Sequence, residues 1–409
     1  MMKFYFWENE PVMLAALAAK ISRSPFEKNI QELYEECERD IEKSKKLVNR
    51  IMKKYRHLIF GDFSDHAIVL DEISRLATIY IWRNVSSGNL VYGAGIEASL
   101  RVLKPARYHE IVSGFGELAF ETYEKAIAQG IPEEDARYLL PEGTLTRMIF
   151  SAPPRYYAKI ANSLKRAPLQ ELNEISEKIK KVVEEKFGLE IPEEYPASEW
   201  KFFGKEKIDE RTFFTCNGDV YSISLDMFVE GSLAMYAQLV RERGFLCLLA
   251  PMEEIAERGV FVVPPTFTET VRKEYREIAE KAKEKQIELI EKKDPNFAYF
   301  LLLGQLAKGK IYGKGVSVVE ASRTRSEGTA QWEIRNKVGI PITEELAKHV
   351  ELRKEIGPRC WREKMCTEPS TFKTEKSICK AFIKAGGNWQ GGLNELLDLL
   401  KETYDVFKV

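Results

Sequence analysis

The sequence predicts an α+β fold made of two tandem copies of one unit, with helices packed on small sheets. Two observations predict it. Apolar residues recur at helical spacing along charged segments, and short β-type runs such as Val260–Val263 and Val316–Val319 interrupt them. In addition, the stretch from Leu70 to Arg83 recurs from Phe228 to Arg241. Glu72, Ser74 and Arg83 have counterparts in Glu230, Ser232 and Arg241, each 158 positions later. Further on, Glu97–Arg101 faces Glu254–Arg258 at an offset of 157, Ala136–Leu140 faces Ala298–Leu302 at 162, and Gln170 faces Gln331 at 161. A register that drifts so little argues for duplication, with a first repeat at residues 1–195 and a second at 196–409.

Taken in order, Val12–Ala19 is an apolar run preceded by Glu8 and Glu10, with Lys3 the only basic residue ahead of it. That pattern suits a buried helix better than an export signal. Charged, amphipathic helices are expected from Phe26 to Lys54 and from Thr268 to Lys293. Between Ala167 and Phe187, Leu169, Leu172, Ile175, Ile179, Val182 and Val183 keep helical spacing, and Gly188 is a stop. Pro192 and Pro196 then interrupt the chain before Trp200, where the seam between the repeats is expected.

Composition limits the function. A length of 409 residues suits two domains, and 44% hydrophobic residues can fill their cores. With 62 basic and 63 acidic residues there is no global field, so neither nucleic acid nor an anionic membrane is an expected partner. No apolar run reaches the roughly 20 residues of a membrane span. Six cysteines are too few for a disulfide scaffold and point to a reducing, cytoplasmic setting. Four histidines argue against a histidine-rich metal site, and His57 and His66 read as structural. The spacing of Cys360, Cys366 and Cys379 fits no common zinc pattern, so these read as structural or unpaired thiols.

The segment Gln238-Leu239-Val240-Arg241, with Phe228–Ala237 before it and Glu242-Arg243 after it, carries the chemistry. Two arginines two apart suit polyanion binding, since each guanidinium offers a rigid donor fork to phosphate oxygens. This helix resembles the one that holds nucleotide and flavin in the flavin-dependent thymidylate synthases. Glu97-Ala98-Ser99-Leu100-Arg101 matches that family's E-x-S-x-R, and Gly130–Pro141, with Arg137, matches another nucleotide-binding string. Ala330–Arg335 resembles the closing helix, and Arg325 stands where the family puts the arginine that helps ionise the uracil ring.

The resemblance implies a uracil nucleotide such as deoxyuridine monophosphate (dUMP) as substrate, flavin adenine dinucleotide (FAD) as cofactor, and NADPH and methylene tetrahydrofolate as co-substrates. Hydride would pass from reduced flavin to the pyrimidine while the folate supplies the carbon, in sites shared between subunits. It implies catalytic roles for Arg325 and Ser99. Substrate contacts would come from Gln238, Arg241, Glu97, Ala98, Leu100, Arg101 and Arg137, and cofactor contacts from Arg241, Glu242, Arg243 and Glu97. Two tandem copies would let a homodimer form a pseudo-tetramer.

Neither half matches the family completely, and the losses are complementary. One composite pocket would join Gln238, Arg241 and Arg325 of the second half to Glu97, Ser99, Arg101 and Arg137 of the first. The other would set Tyr80, Arg83 and Leu164 against Glu254, Ala256, Arg258 and Tyr299. One competent and one dead pocket are therefore expected. Glu242 stands where the family has a histidine, which leaves open a noncatalytic nucleotide-binding or assembly protein.

Overall fold

The computed structural model describes residues 2–55, 63, 65–86, 94–98, 107–189, 201–242, 244–328, 330–363 and 392–409. Its fold is α+β, as expected. The first half runs β1 (Lys3–Glu8), α1 (Pro11–Ile21), α2 (Ile30–Arg39), α3 (Ile41–Tyr55), β2 (His66–Ser74), α4 (Arg75–Ser86) and β3 (Ala94–Glu97). It continues with α5 (Ser113–Ala128), α6 (Glu133–Ala136), β4 (Leu145–Ser151), α7 (Pro154–Lys165) and α8 (Gln170–Phe187). The expected seam lies among residues outside the described ones.

The second half has β5 (Phe213–Thr215), β6 (Ser224–Ser232), α9 (Leu233–Leu239), β7 (Leu246–Leu249), α10 (Met252–Arg258), β8 (Val260–Val263) and α11 (Glu269–Glu291). Then come β9 (Leu306–Lys314), α12 (Val316–Arg325), α13 (Trp332–Ile334), α14 (Ile340–Leu346), α15 (Arg359–Arg362), α16 (Leu393–Leu400) and β10 (Asp405–Lys408). Each half holds an antiparallel four-stranded sheet, in the orders β1-β2-β4-β3 and β5-β6-β9-β7. β8 and β10 form a separate pair.

The sheets are packed differently. In β2 both alternating sets are buried, Ala67 and Val69 against α1–α3, Ile68 and Leu70 against the core shared with the second half. The apolar Met13–Ala19 run is buried throughout, which is why α1 needs no polar face. β6 alternates instead: Leu225, Met227 and Val229 point into the shared core while Ser224, Asp226, Phe228 and Glu230 are half-exposed.

The halves meet along a short antiparallel pairing. Pro141 bridges Leu302, Glu142 and Gly143 donate their N–H to Leu301 and Tyr299, and Leu303 and Gly304 donate theirs to Leu140 and Tyr138. The bonds map onto one another when residues 161 apart are exchanged, as 141 for 302, 142 for 303 and 143 for 304. Two buried glutamates repeat the pattern. Glu171 accepts from Ser74 N–H at 2.8 Å, from Ser74 Oγ at 2.6 Å and from the Tyr299 hydroxyl at 3.0 Å. Glu333 accepts likewise from Ser232 and from the Tyr138 hydroxyl. Each carboxylate thus holds a serine of its own half and a tyrosine of the other.

Several expectations need correction. Tyr299 corresponds to Tyr138, one residue from the expected partner Arg137, so Ala298 stands opposite Arg137. Gln170 is turned outward to Glu174, and Glu171 takes the place that matches Glu333. The single helix expected from Phe26 to Lys54 is two helices, because Asp40 leaves helical geometry and its side chain caps Lys43 N–H at 2.8 Å. Val316–Val319 is helical rather than extended. Gly315, at φ 54°, turns the chain out of β9, and burial of Val318 and Val319 on one helical face overrides their β preference.

Candidate functional site

Glu97 closes β3 and is buried at the contact between the halves. Four donors converge on it. Arg75 and Arg241 form ion pairs with its two oxygens, Thr78 Oγ1 reaches it at 3.3 Å and Trp82 Nε1 at 3.3 Å. Burial by itself would raise the carboxyl, but the Arg75 and Arg241 guanidiniums and these donors hold it below the ordinary range. Arg241 comes from the turn after α9, and its Cζ lies 5.4 Å from the centre of the Trp82 ring. A first-half acid and tryptophan therefore fix a second-half arginine.

Three further expected groups surround this junction. Arg137 begins the turn after α6, and its Nε is buried without a hydrogen-bond partner. The same is true of Nε in Arg75 and Arg241, and of Nε2 in Gln238 on α9. Burial, then the positive charges of Arg75 and Arg137, lower the proton affinity of Arg241 against the pull of Glu97. Arg325 ends α12; burial, then Arg241, bring its guanidinium down to about 10. Nε and Nη2 of Arg325 both donate to Glu242. Arg241 keeps 33% of its side chain exposed and Arg325 25%, so an incoming ligand can reach both.

Four arginines thus crowd one junction with Glu97 and Glu242 as their carboxylate partners, and four buried N–H groups are left over. Donors without acceptors, backed by a positive excess, are the chemistry an anion would engage. Of the remaining expected residues, Ala98 is buried against Phe26 and Leu145. Ser99, Leu100, Arg101 and Arg243 lie outside the described residues, as do His57, Cys366, Cys379 and the side chain of Cys360. His66 has the structural role expected of it, with Nδ1 on Asp65 at 2.8 Å and Nε2 on the Ala152 carbonyl at 2.9 Å. Among the described residues no group of three metal-ligating side chains comes together.

The other composite pocket is packed shut. Tyr80, Leu164, Ala256 and Tyr299 are all buried in the shared apolar core. Tyr80 stacks on Phe202 with ring centres 5.8 Å apart, and the Tyr299 ring lies against His109 at 4.3 Å. Arg258 is turned to Glu230 at 2.6 Å. Glu254 stays on α10, and the side chain of Arg83 lies outside the described residues.

Sequence reasoning missed Arg75, Thr78 and Trp82, which hold Glu97, because their counterparts Leu233, Tyr236 and Val240 are unlike them. It also missed the Ser–Glu–Tyr clusters. The recurrence of Ser74 as Ser232 was a usable signal, but their glutamate partners lie about 100 residues away in sequence.

Of the residues expected to hold FAD, Arg243 lies outside the described ones, and the other three are already engaged within the protein. Glu97 is saturated by its four donors, Glu242 is committed to Arg325, and Arg241 spends Nη2 on Glu97.

Residues 6–187 match the family described as thymidylate synthase complementing protein. Among curated proteins none matches. A solved structure similar to it is a UMP/dUMP methylase, PolB, from Streptomyces cacaoi, bound with 5-Br dUMP. The two share 13% identity over 45% of this chain and 90% of that one, with a TM-score of 0.26.

Proposed function

We propose that this chain, whose residues 6–187 match the family described as thymidylate synthase complementing protein, binds a uracil nucleotide in one composite site between its halves. The observation that carries this reading is the Arg241–Glu97 pair, which joins residues 144 positions apart and gathers Gln238, Arg137 and Arg325 around it. A nucleoside monophosphate near neutral pH carries a charge close to −2, which a positive excess of guanidiniums can neutralise. Arg137 and Arg241 would take the phosphate. Arg325 would face the base once the nucleotide competes with Glu242, and Gln238 Nε2 would donate to a base or sugar oxygen. Ser99, Leu100 and Arg101 would complete the site from the first half.

Methylation of dUMP with methylene tetrahydrofolate, reduced FAD and NADPH is the finer reading that the family carries. Glu242 argues against it, since it neutralises the ring-facing arginine and opposes the flavin. Binding without turnover is the reading favoured here. The matching sheet orders and the exchange of residues 161 apart support reading the chain as two related halves.

Titration calorimetry with dUMP tests the reading. Arg241→Ala and Arg325→Ala should each weaken binding at least tenfold, whereas Arg258→Ala should leave it within twofold. Equal losses from all three would sink the composite site. Release of tritium from C5-labelled dUMP, on addition of reductant, FAD and methylene tetrahydrofolate, would restore the catalytic reading.

A further inference from the structure

Glu333 is fully buried, and both residues that its carboxylate holds lead to members of the candidate anion site. One is Ser232, whose N–H reaches Oε1 at 2.7 Å and whose hydroxyl donates to Oε2. That hydroxyl also accepts from Met235 N–H at 3.1 Å, which makes Ser232 the N-cap of α9. α9 carries Gln238 and runs on into Arg241. The other is Tyr138, whose hydroxyl donates to Oε2 at 2.5 Å and which follows Arg137 directly in the chain. One carboxylate therefore ties the second-half segment of the site to its first-half arginine.

The short turn that presents Arg137 is held by the second half on both sides. After Arg137, the Tyr138 hydroxyl also accepts from Gln331 Nε2 at 2.6 Å, and its ring stacks on Trp332 with centres 6.1 Å apart. Before Arg137, the Asp135 carboxylate accepts from Trp332 Nε1 at 2.9 Å and from the Thr266 hydroxyl at 2.7 Å. Asp135 and Tyr138 are buried, so losing one of these bonds would leave a polar group unmatched away from water. The Glu171 cluster repeats the Ser–Glu–Tyr bonds across the contact, but its tyrosine is Tyr299 and the residue before that is Ala298. There the same latch has no arginine to present.

We propose that Glu333, with its neighbours Gln331 and Trp332, positions the anion site. Through Ser232 and Tyr138 it fixes the spacing between the Gln238–Arg241 segment and Arg137, so that both can close on one anion. Donors already held at the right spacing need no ordering when the ligand arrives, which strengthens binding. The identity of the ligand rests on the uracil-nucleotide reading above; the spacing is a property of the fold.

Two conservative substitutions separate positioning from stability. Tyr138→Phe and Tyr299→Phe each remove one hydroxyl from an equivalent buried cluster, and urea unfolding should show both to be less stable than the wild type. In titration calorimetry, dUMP affinity should fall about tenfold in Tyr138→Phe and stay within about twofold in Tyr299→Phe. Equal losses in the two, or none in Tyr138→Phe, overturn the proposal. The Nε–H NMR signal of Arg137, assigned by its disappearance in Arg137→Lys, reads the same geometry with no nucleotide present. It should move in Tyr138→Phe and stay in Tyr299→Phe; an unmoved signal in Tyr138→Phe overturns the proposal. A wild type that binds no dUMP refutes the nucleotide reading, and the Arg137 signal then decides the positioning by itself. Should Tyr138→Phe fail to fold, Trp332→Phe removes the bond to Asp135 while keeping a ring against Tyr138, and the same outcomes apply.

Discussion

Glu97 and Glu142 are both buried beside Arg75, yet their carboxyls shift in opposite directions. The difference is charge pairing first, with two guanidiniums on Glu97 against one near Glu142, and hydrogen bonding second. Glu97 receives four donors from Arg75, Thr78, Trp82 and Arg241, while Glu142 receives none and keeps its proton. A stability effect follows from Glu142. Its carboxyl is raised from 4.5 to about 8 in the folded chain, so between these values the folded state holds a proton that the unfolded state has lost. The stabilisation is full below pH 4.5 and falls as pH rises towards 8, by about 1.4 kcal/mol per pH unit from this group. Glu142→Gln should remove that slope and raise stability at pH 8. Urea unfolding at pH 5, 6.5 and 8 measures it; an unchanged slope would show that Glu142 is ionised when folded.

Among the elements, those bounded by local chemistry ended where the sequence expected. α8 stops at Gly188, which adopts φ 63°, and α11 starts at Thr268, whose hydroxyl accepts from Val271 N–H at 3.3 Å. Gly188→Ala should destabilise the chain by about 1 kcal/mol through backbone strain alone, because an added Cβ there meets nothing within 4 Å. Chemical denaturation reads this directly, and no loss would mean the cap relaxes into another geometry. α12 shows the opposite case. Its leading valines read locally as a strand, and only the core beneath Val318 and Val319 makes them helical.

At the scale of the molecule, the two halves pair as two subunits of a symmetric dimer would, each lending the other a tyrosine for its buried glutamate. In the proposed site the binding residues are shared across the contact, while Tyr80, Leu164 and Tyr299 are buried in the core on its other side. The stoichiometry should accordingly be one dUMP per chain, counted by calorimetry on protein of known concentration. Two per chain would mean that the packed side opens. The proposed homodimer is tested by sedimentation velocity, where a mass near one chain would refute it.

The sequence by itself determined the fold class and the helix stops, and it named most of the residues that gather around Glu97. These depend on local periodicity, on capping residues and on motif strings, all of which are written within a few neighbouring positions. Tertiary structure decided the rest. It set the offset at 161 where the strands cross, because a hydrogen-bond register admits no one-residue ambiguity. It paired Glu242 with Arg325 and brought four donors to Glu97. It also left Glu142 uncharged among leucines. Ionisation and pairing depend on what lies within a few ångströms in space, and for these residues those neighbours lie far away along the chain.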